Sequence, residues 1–247
     1  MDALSQAMRG ALSGAAAPLR LERALVVGGG GTLGSALLGE ALVAGRFQQV
    51  AAVVAAPLAS AVRGFVPVER AALGSAAAAD VAFVVFERER HSNGRDDAFW
   101  QPPPDELVAI ARTLRGAGVR RLLVVVPHAP ALLPHSLKHG FASRAEGEVA
   151  ALGFEHLVLL RAAQAAGSSA AGSRVERFVA WWLSQLRWMV PQAEQPVRAV
   201  TLAALAVQLA RLLPAAAPGT RVLPPELLQQ AAQGDAAAVL GAWLGRP

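Results

Sequence analysis

Along this chain, short wholly apolar runs alternate with longer stretches in which apolar positions recur every three or four residues. That order is what a parallel sheet wrapped by helices imposes, because strands covered on both faces need no polar positions while the helices covering them keep a wet side. The pattern predicts strands at Ala24–Gly28, Gln49–Val54, Phe65–Val68, Val81–Phe86, Arg121–Val126 and Glu155–Leu160. Between them it predicts a helix over Thr32–Gly45, one capped by Asp105 and running through Leu114 to stop at Gly116 and Gly118, and one over Ala142–Leu152 ending at Gly153. The expected class is α/β, a doubly wound parallel sheet with right-handed crossovers. Past Arg161 come a Ser/Gly/Ala loop, helices near Val175–Met189 and Val200–Leu213, and a short terminal helical region. We therefore expect an extension over residues 1–22 and a single domain over 23–247, to which 162–247 contribute a small helical cap. In the helix near 175–189, Val175, Phe178, Val179, Trp182, Leu186 and Met189 make one apolar stripe, whose plain reading is core packing. Trp181 and Trp188 lie beside it, where they would suit a ligand cleft or a homodimer interface.

The candidate chemistry starts where the first strand meets the first helix. Leu25-Val26-Val27-Gly28-Gly29-Gly30-Gly31-Thr32-Leu33-Gly34 is an apolar strand running straight into a glycine turn, with Gly28, Gly31 and Gly34 at GxxGxxG spacing. Such spacing permits a tight turn, a close approach of backbone to a pyrophosphate, and packing of helix on strand. The amides that open the helix, at Gly30, Gly31, Thr32 and Leu33, would face the phosphates. The alternative is a glycine turn that serves packing alone.

Composition narrows the classes. The chain holds no tyrosine and no cysteine in 247 residues, so tyrosine-dependent reduction, disulfides and thiolate chemistry are all excluded; a reducing cytoplasm fits. The net charge of +5 and a pI near 11.2 raise the question of nucleic acid, but the arginines are scattered singly apart from Arg88 with Arg90, interleaved with glutamates, and Arg120 with Arg121, and Lys138 is the sole lysine, which argues against such a partner. Charged residues interrupt each apolar run well before the roughly 18 residues a bilayer needs, so no membrane partner is expected.

The order of these segments resembles the extended, atypical short-chain dehydrogenase/reductases, in particular the NmrA-like and Tat-interacting-protein-like branch. The likeness rests on Val27–Gly34, on Asp80-Val81-Ala82-Phe83-Val84-Val85, on Gly118–Val126, on Glu146-Gly147-Glu148-Val149 before Leu152-Gly153-Phe154, and on Leu157–Arg161, together spanning Arg23 to Arg161. The resemblance implies a Rossmann-type fold and an NAD(P) cofactor. It also implies a tyrosine four residues before a lysine on the helix containing Gly147, where this chain has Ala142 and Glu146, and a serine at the end of the fifth strand, where it has Pro127, His128, Ala129 and Pro130. The family's catalytic side chains are thus missing, and the function implied is dinucleotide sensing by an NmrA-like, oxidoreductase-like protein with a small-molecule or protein partner. Two alternatives stand beside it. One is an NAD(P)-dependent oxidoreductase or isomerase with another proton donor, for which His128 at the carboxyl edge is the candidate catalytic residue. The other is an interaction protein that binds no nucleotide.

For cofactor choice, no acidic residue lies between Glu40 and Glu69 to hold ribose hydroxyls, which leaves Arg63, or Arg46, as a partner for a 2′-phosphate and favours NADP slightly over NAD. In the family the loop after the fourth strand passes near the cofactor; here it reads Glu87-Arg88-Glu89-Arg90, whose carboxylates would repel a pyrophosphate unless the arginines neutralise them. His135 and His139 are spaced for one helix face, but with Lys138 between them and no third ligand we expect no metal site.

Overall fold

The computed structural model describes residues 22–75, 79–87, 96–128, 143–163 and 197–245. Seven strands, β1 (Glu22–Val27), β2 (Phe47–Val54), β3 (Phe65–Glu69), β4 (Val81–Val85), β5 (Arg121–His128), β6 (His156–Ala163) and β7 (Gly219–Leu223), form one sheet in the order β3-β2-β1-β4-β5-β6-β7. Every pairing is parallel. The central strands are apolar on both sides because both faces are covered. One face, through Ala24, Val26, Phe83, Leu123, Val125, Val158 and Leu160, packs on α1 (Gly31–Val43), α4 (Ala199–Leu212), α5 (Pro225–Gln233) and α6 (Ala236–Trp243). The other, through Leu25, Val27, Ala82, Val84, Leu122, Val124, Leu157 and Leu159, packs on α2 (Leu107–Gly116) and α3 (Arg144–Ala150). The chain order reverses between β1 and β4, and their carboxyl ends form the switch point at which open α/β sheets hold ligands. Among the described residues, no helix is long and apolar enough to cross a membrane.

Three local expectations change. A seventh strand lies where only helices were expected. Its Gly219-Thr220-Arg221 start is polar because β7 is an edge strand with exposed and half-exposed positions, so it lacks the apolar run that marked the others. Asp105 caps nothing: it lies in a 3-10 turn over Pro104–Glu106 that Pro104 opens, and α2 begins only at Leu107 with no side-chain cap. β5 continues through Pro127 to His128, which pairs with Ala163, rather than giving way to a loop at Val126. Its last partner on the β4 side is Val125, so the missing Pro127 N–H costs that neighbour no hydrogen bond. The extension at 1–21, the helix with Trp181, Trp182 and Trp188, and the residues Arg88–Arg90, His135, Lys138 and His139 lie outside the described residues.

Candidate functional site

The glycine turn is built as its spacing predicts. Gly28 (φ 86°) and Gly31 (φ 73°) adopt the left-handed conformation that glycine takes without penalty. Gly30, extended, stands at the N-cap of α1. A Cβ at Gly28 would collide with the carbonyl of Val85 on β4, and one at Gly34 with the carbonyl of Gly28. Those two glycines are accounted for by how closely β1, β4 and α1 approach. Gly31 differs, because the Cβ it lacks would fall on the carboxylate of Glu87. That carboxylate follows β4, and its Oε1 accepts a hydrogen bond from the Leu33 N–H in the first turn of α1. The helix start thus holds an anion, supplied by the chain itself. The orientation is the favourable one, since exposed amides and the helix dipole both draw negative charge to this end. A hydrogen bond to an ionised group contributes about 1.5–3 kcal/mol. The Leu33 side chain meanwhile points into the core, and Thr32 is exposed.

A segment between β4 and α2 crosses beside the turn. Ala55 N–H donates to Ala98 (2.9 Å), Trp100 N–H donates to Val53 (3.0 Å), and Val54 forms an antiparallel bridge with Phe99, all at the carboxyl end of β2. The Phe99 ring lies against Gly29. Arg70 stacks over Trp100 at 4.4 Å and bonds Glu106 at 2.7 Å, holding the segment from its far side. What remains at the switch point is a small, partly open cleft of about 30 Å³ lined by Gly28, Gly30, Val85, Glu87, Gln101 and Pro102–Pro104.

Gly28, Gly30, Gly31, Thr32, Leu33 and Gly34 therefore come together, but Arg63 does not join them. It lies exposed in the turn entering β3, whose Phe65 is level with Val50, whereas the glycine turn is level with the far end of β2. Four strand residues, roughly 13 Å, separate those levels. Arg46 is also at the amino edge, 3.5 Å from Glu22. The sequence-based preference for NADP loses both its arginines, because the 55–64 connection must return to the amino edge to start a parallel strand. The positions that follow β2 at the correct edge are Ala55 and Ala56, which discriminate neither cofactor.

The second expected centre lies near the ends of β5 and β6. His128 closes β5 at the carboxyl edge; its backbone alone is described. On α3, whose N-cap Ser143 accepts from the Glu146 N–H at 3.3 Å, Glu146 reaches Arg161 of β6 in a bidentate pair with Nη1–Oε1 at 3.0 Å and Nη2–Oε2 at 2.7 Å. The side chains are only 3% and 2% exposed, so the pair is buried with the two charges facing each other. The sequence reading marked Glu146 as standing where the resemblance implies a lysine but did not pair it with Arg161. Arg161, buried in an apolar strand, was the signal, since a buried guanidinium calls for a carboxylate. Among the described residues, no group of three His, Cys, Asp or Glu side chains could hold a metal.

No family model and no curated protein matches the sequence. Among solved structures, the chain is similar to a Bacillus halodurans protein assigned as an NAD-dependent epimerase/dehydratase, at 12% identity over 85% of this chain and 99% of that one, with a TM-score of 0.50. WbmH of Bordetella bronchiseptica in complex with NAD+ gives 13% identity over 87% and 81%, TM-score 0.49, and UDP-glucose 4-epimerase of Brucella ovis in complex with NAD gives 18% over 82% and 77%, TM-score 0.46. At such identity the first of these structures shows that this chain shares its fold, and nothing beyond the fold.

Proposed function

We propose that the chain is a dinucleotide-binding Rossmann protein, akin to the NmrA-like short-chain dehydrogenase/reductases, that senses NAD or NADP and does not perform tyrosine-dependent hydride transfer. The observation that carries this reading is the carboxylate on the Leu33 amide: the turn holds an anion, in the position from which Rossmann helix starts grip diphosphates. The residues that would hold the dinucleotide are Gly28, Gly30, Gly31, Thr32, Leu33 and Gly34, through main chain. When bound, the nicotinamide would supply a hydride acceptor or donor. The chain offers that ring no tyrosine, and Glu146, in the place of the family's lysine, is committed to Arg161. His128 stays the candidate proton donor should turnover be found. A cytoplasmic setting and a homodimer belong to the same proposal.

Calorimetric titration with NAD+, NADH, NADP+ and NADPH tests it, and saturable binding that Gly31→Asp removes while circular dichroism stays unchanged is the expected result. A second reading, an interaction protein without nucleotide, is favoured by Phe99 and Glu87 lying against the turn. It prevails if neither the parent chain nor its Glu87 variants bind any of the four.

A further inference from the structure

We infer that Glu87 is an internal competitor for the diphosphate, a carboxylate that occupies the first turn of α1 and must leave it before a dinucleotide can enter. The inference rests on the dinucleotide reading above and adds the regulation of that site.

Three features of the molecule support it. The contact joins residues 54 positions apart, so it reflects the fold and not local chain geometry. The Glu87 carboxylate lies against Gly31, filling the space a Cβ would take there, whereas the missing Cβ atoms of Gly28 and Gly34 face packed backbone. Glu87 also lines the same cleft as Gly28 and Gly30, so a group that reached the turn through the cleft would meet its carboxylate. Two anions cannot share this helix start without strong repulsion, and the chain's own anion competes from within, undiluted by the surrounding volume. Occupancy is consequently an exchange. The diphosphate takes the Leu33 amide and the carboxylate gives it up, which makes release of Glu87 the local event coupled to binding, and by linkage whatever holds Glu87 in place weakens the dinucleotide to the same degree.

The test is calorimetric titration of the parent chain, Glu87→Gln and Glu87→Ala with NAD+, NADP+ and inorganic pyrophosphate, with circular dichroism to establish that each variant is folded. Gln is the milder change, being uncharged but of the same shape, and serves if the alanine variant fails to fold. The expected result is binding about ten- to hundredfold tighter in the variants than in the parent, for pyrophosphate as well as for the dinucleotides, since the displaced bond is a charged one. In the absence of ligand the variants should melt at a lower temperature than the parent. Equal affinities would overturn the inference while leaving the dinucleotide reading intact. Weaker binding in the variants would also overturn it, by making Glu87 a residue that holds the ligand. An absence of binding in all three proteins would overturn the dinucleotide reading, and this inference with it.

Discussion

Two places along the carboxyl edge of the sheet are built differently. At the β1–β4 crossover the working parts are main-chain amides and the absence of side chains, and they stand in the arrangement that grips an anion, with Glu87 as the anion. At the ends of β5 and β6 the conspicuous parts are side chains, the buried carboxylate–guanidinium pair of Glu146 and Arg161. The difference teaches that a site made of backbone persists for as long as its fold does, because Gly28 and Gly34 are demanded by packing whether or not a ligand comes. A site made of side chains has no such protection. Glu146 and Arg161 are placed by a bidentate bond between their own side chains, so either one is lost with a single substitution.

That contrast can be broken most forcefully at the ion pair. Arg161→Met or Glu146→Leu alone should lower stability by about 3–5 kcal/mol in urea unfolding, by leaving one charge buried, whereas the double variant should recover most of the loss. Equal losses in the single and double variants would mean the two side chains do not act as a pair. Next comes Gly34→Ala, whose new methyl meets the Gly28 carbonyl and should cost about 1–3 kcal/mol, read as a shift of the unfolding midpoint. Were it neutral, packing would not be what fixes the turn.

A smaller effect is expected at the opposite edge, which takes part in neither site. His156 is buried at the start of β6, and its pKa is held below the usual 6.5 by desolvation, with Arg221 and Arg121 lowering it further against the opposing pull of Glu155. The folded state therefore binds its proton less readily than the unfolded chain, so stability should fall as the pH drops below about 6.5 and should level off once the folded-state pKa is passed. His156→Gln should flatten that dependence in thermal melts between pH 7 and 5. If the variant keeps the full slope, other groups carry it. The least effect is expected of Ser143→Ala, which removes the α3 cap beside Glu146 and should cost about 1 kcal/mol or less by the same unfolding assay. A larger loss would tie the cap to the ion pair.

How much of this could be read in the sequence follows from what each feature depends on. β1, β4, β5 and β6 were legible because burial on both faces leaves unbroken apolar runs, and β7 was not, because an edge strand carrying Thr220 and Arg221 has no such run. The glycine turn was legible because left-handed backbone and close packing leave few residues other than glycine. For Glu87 the sequence gave the sign of the effect, a carboxylate hostile to a pyrophosphate, but not its form, since a bond to Leu33 depends on the meeting of two crossovers. Arg63 was chosen because no acidic residue lies between Glu40 and Glu69, a choice blind to a loop that runs back to the amino edge. Phe99 gave no signal at all; its place beside Gly29 depends on where the 96–104 segment crosses β2.

The central claim is that the α1 turn is an anion cradle already filled from within, and the Leu33 amide resonance in a nitrogen-15 spectrum reports on it most directly. Adding NAD+ should move that resonance saturably, at lower concentrations in Glu87→Ala than in the parent chain. A Leu33 signal that stays fixed in both proteins up to millimolar NAD+ would contradict the account.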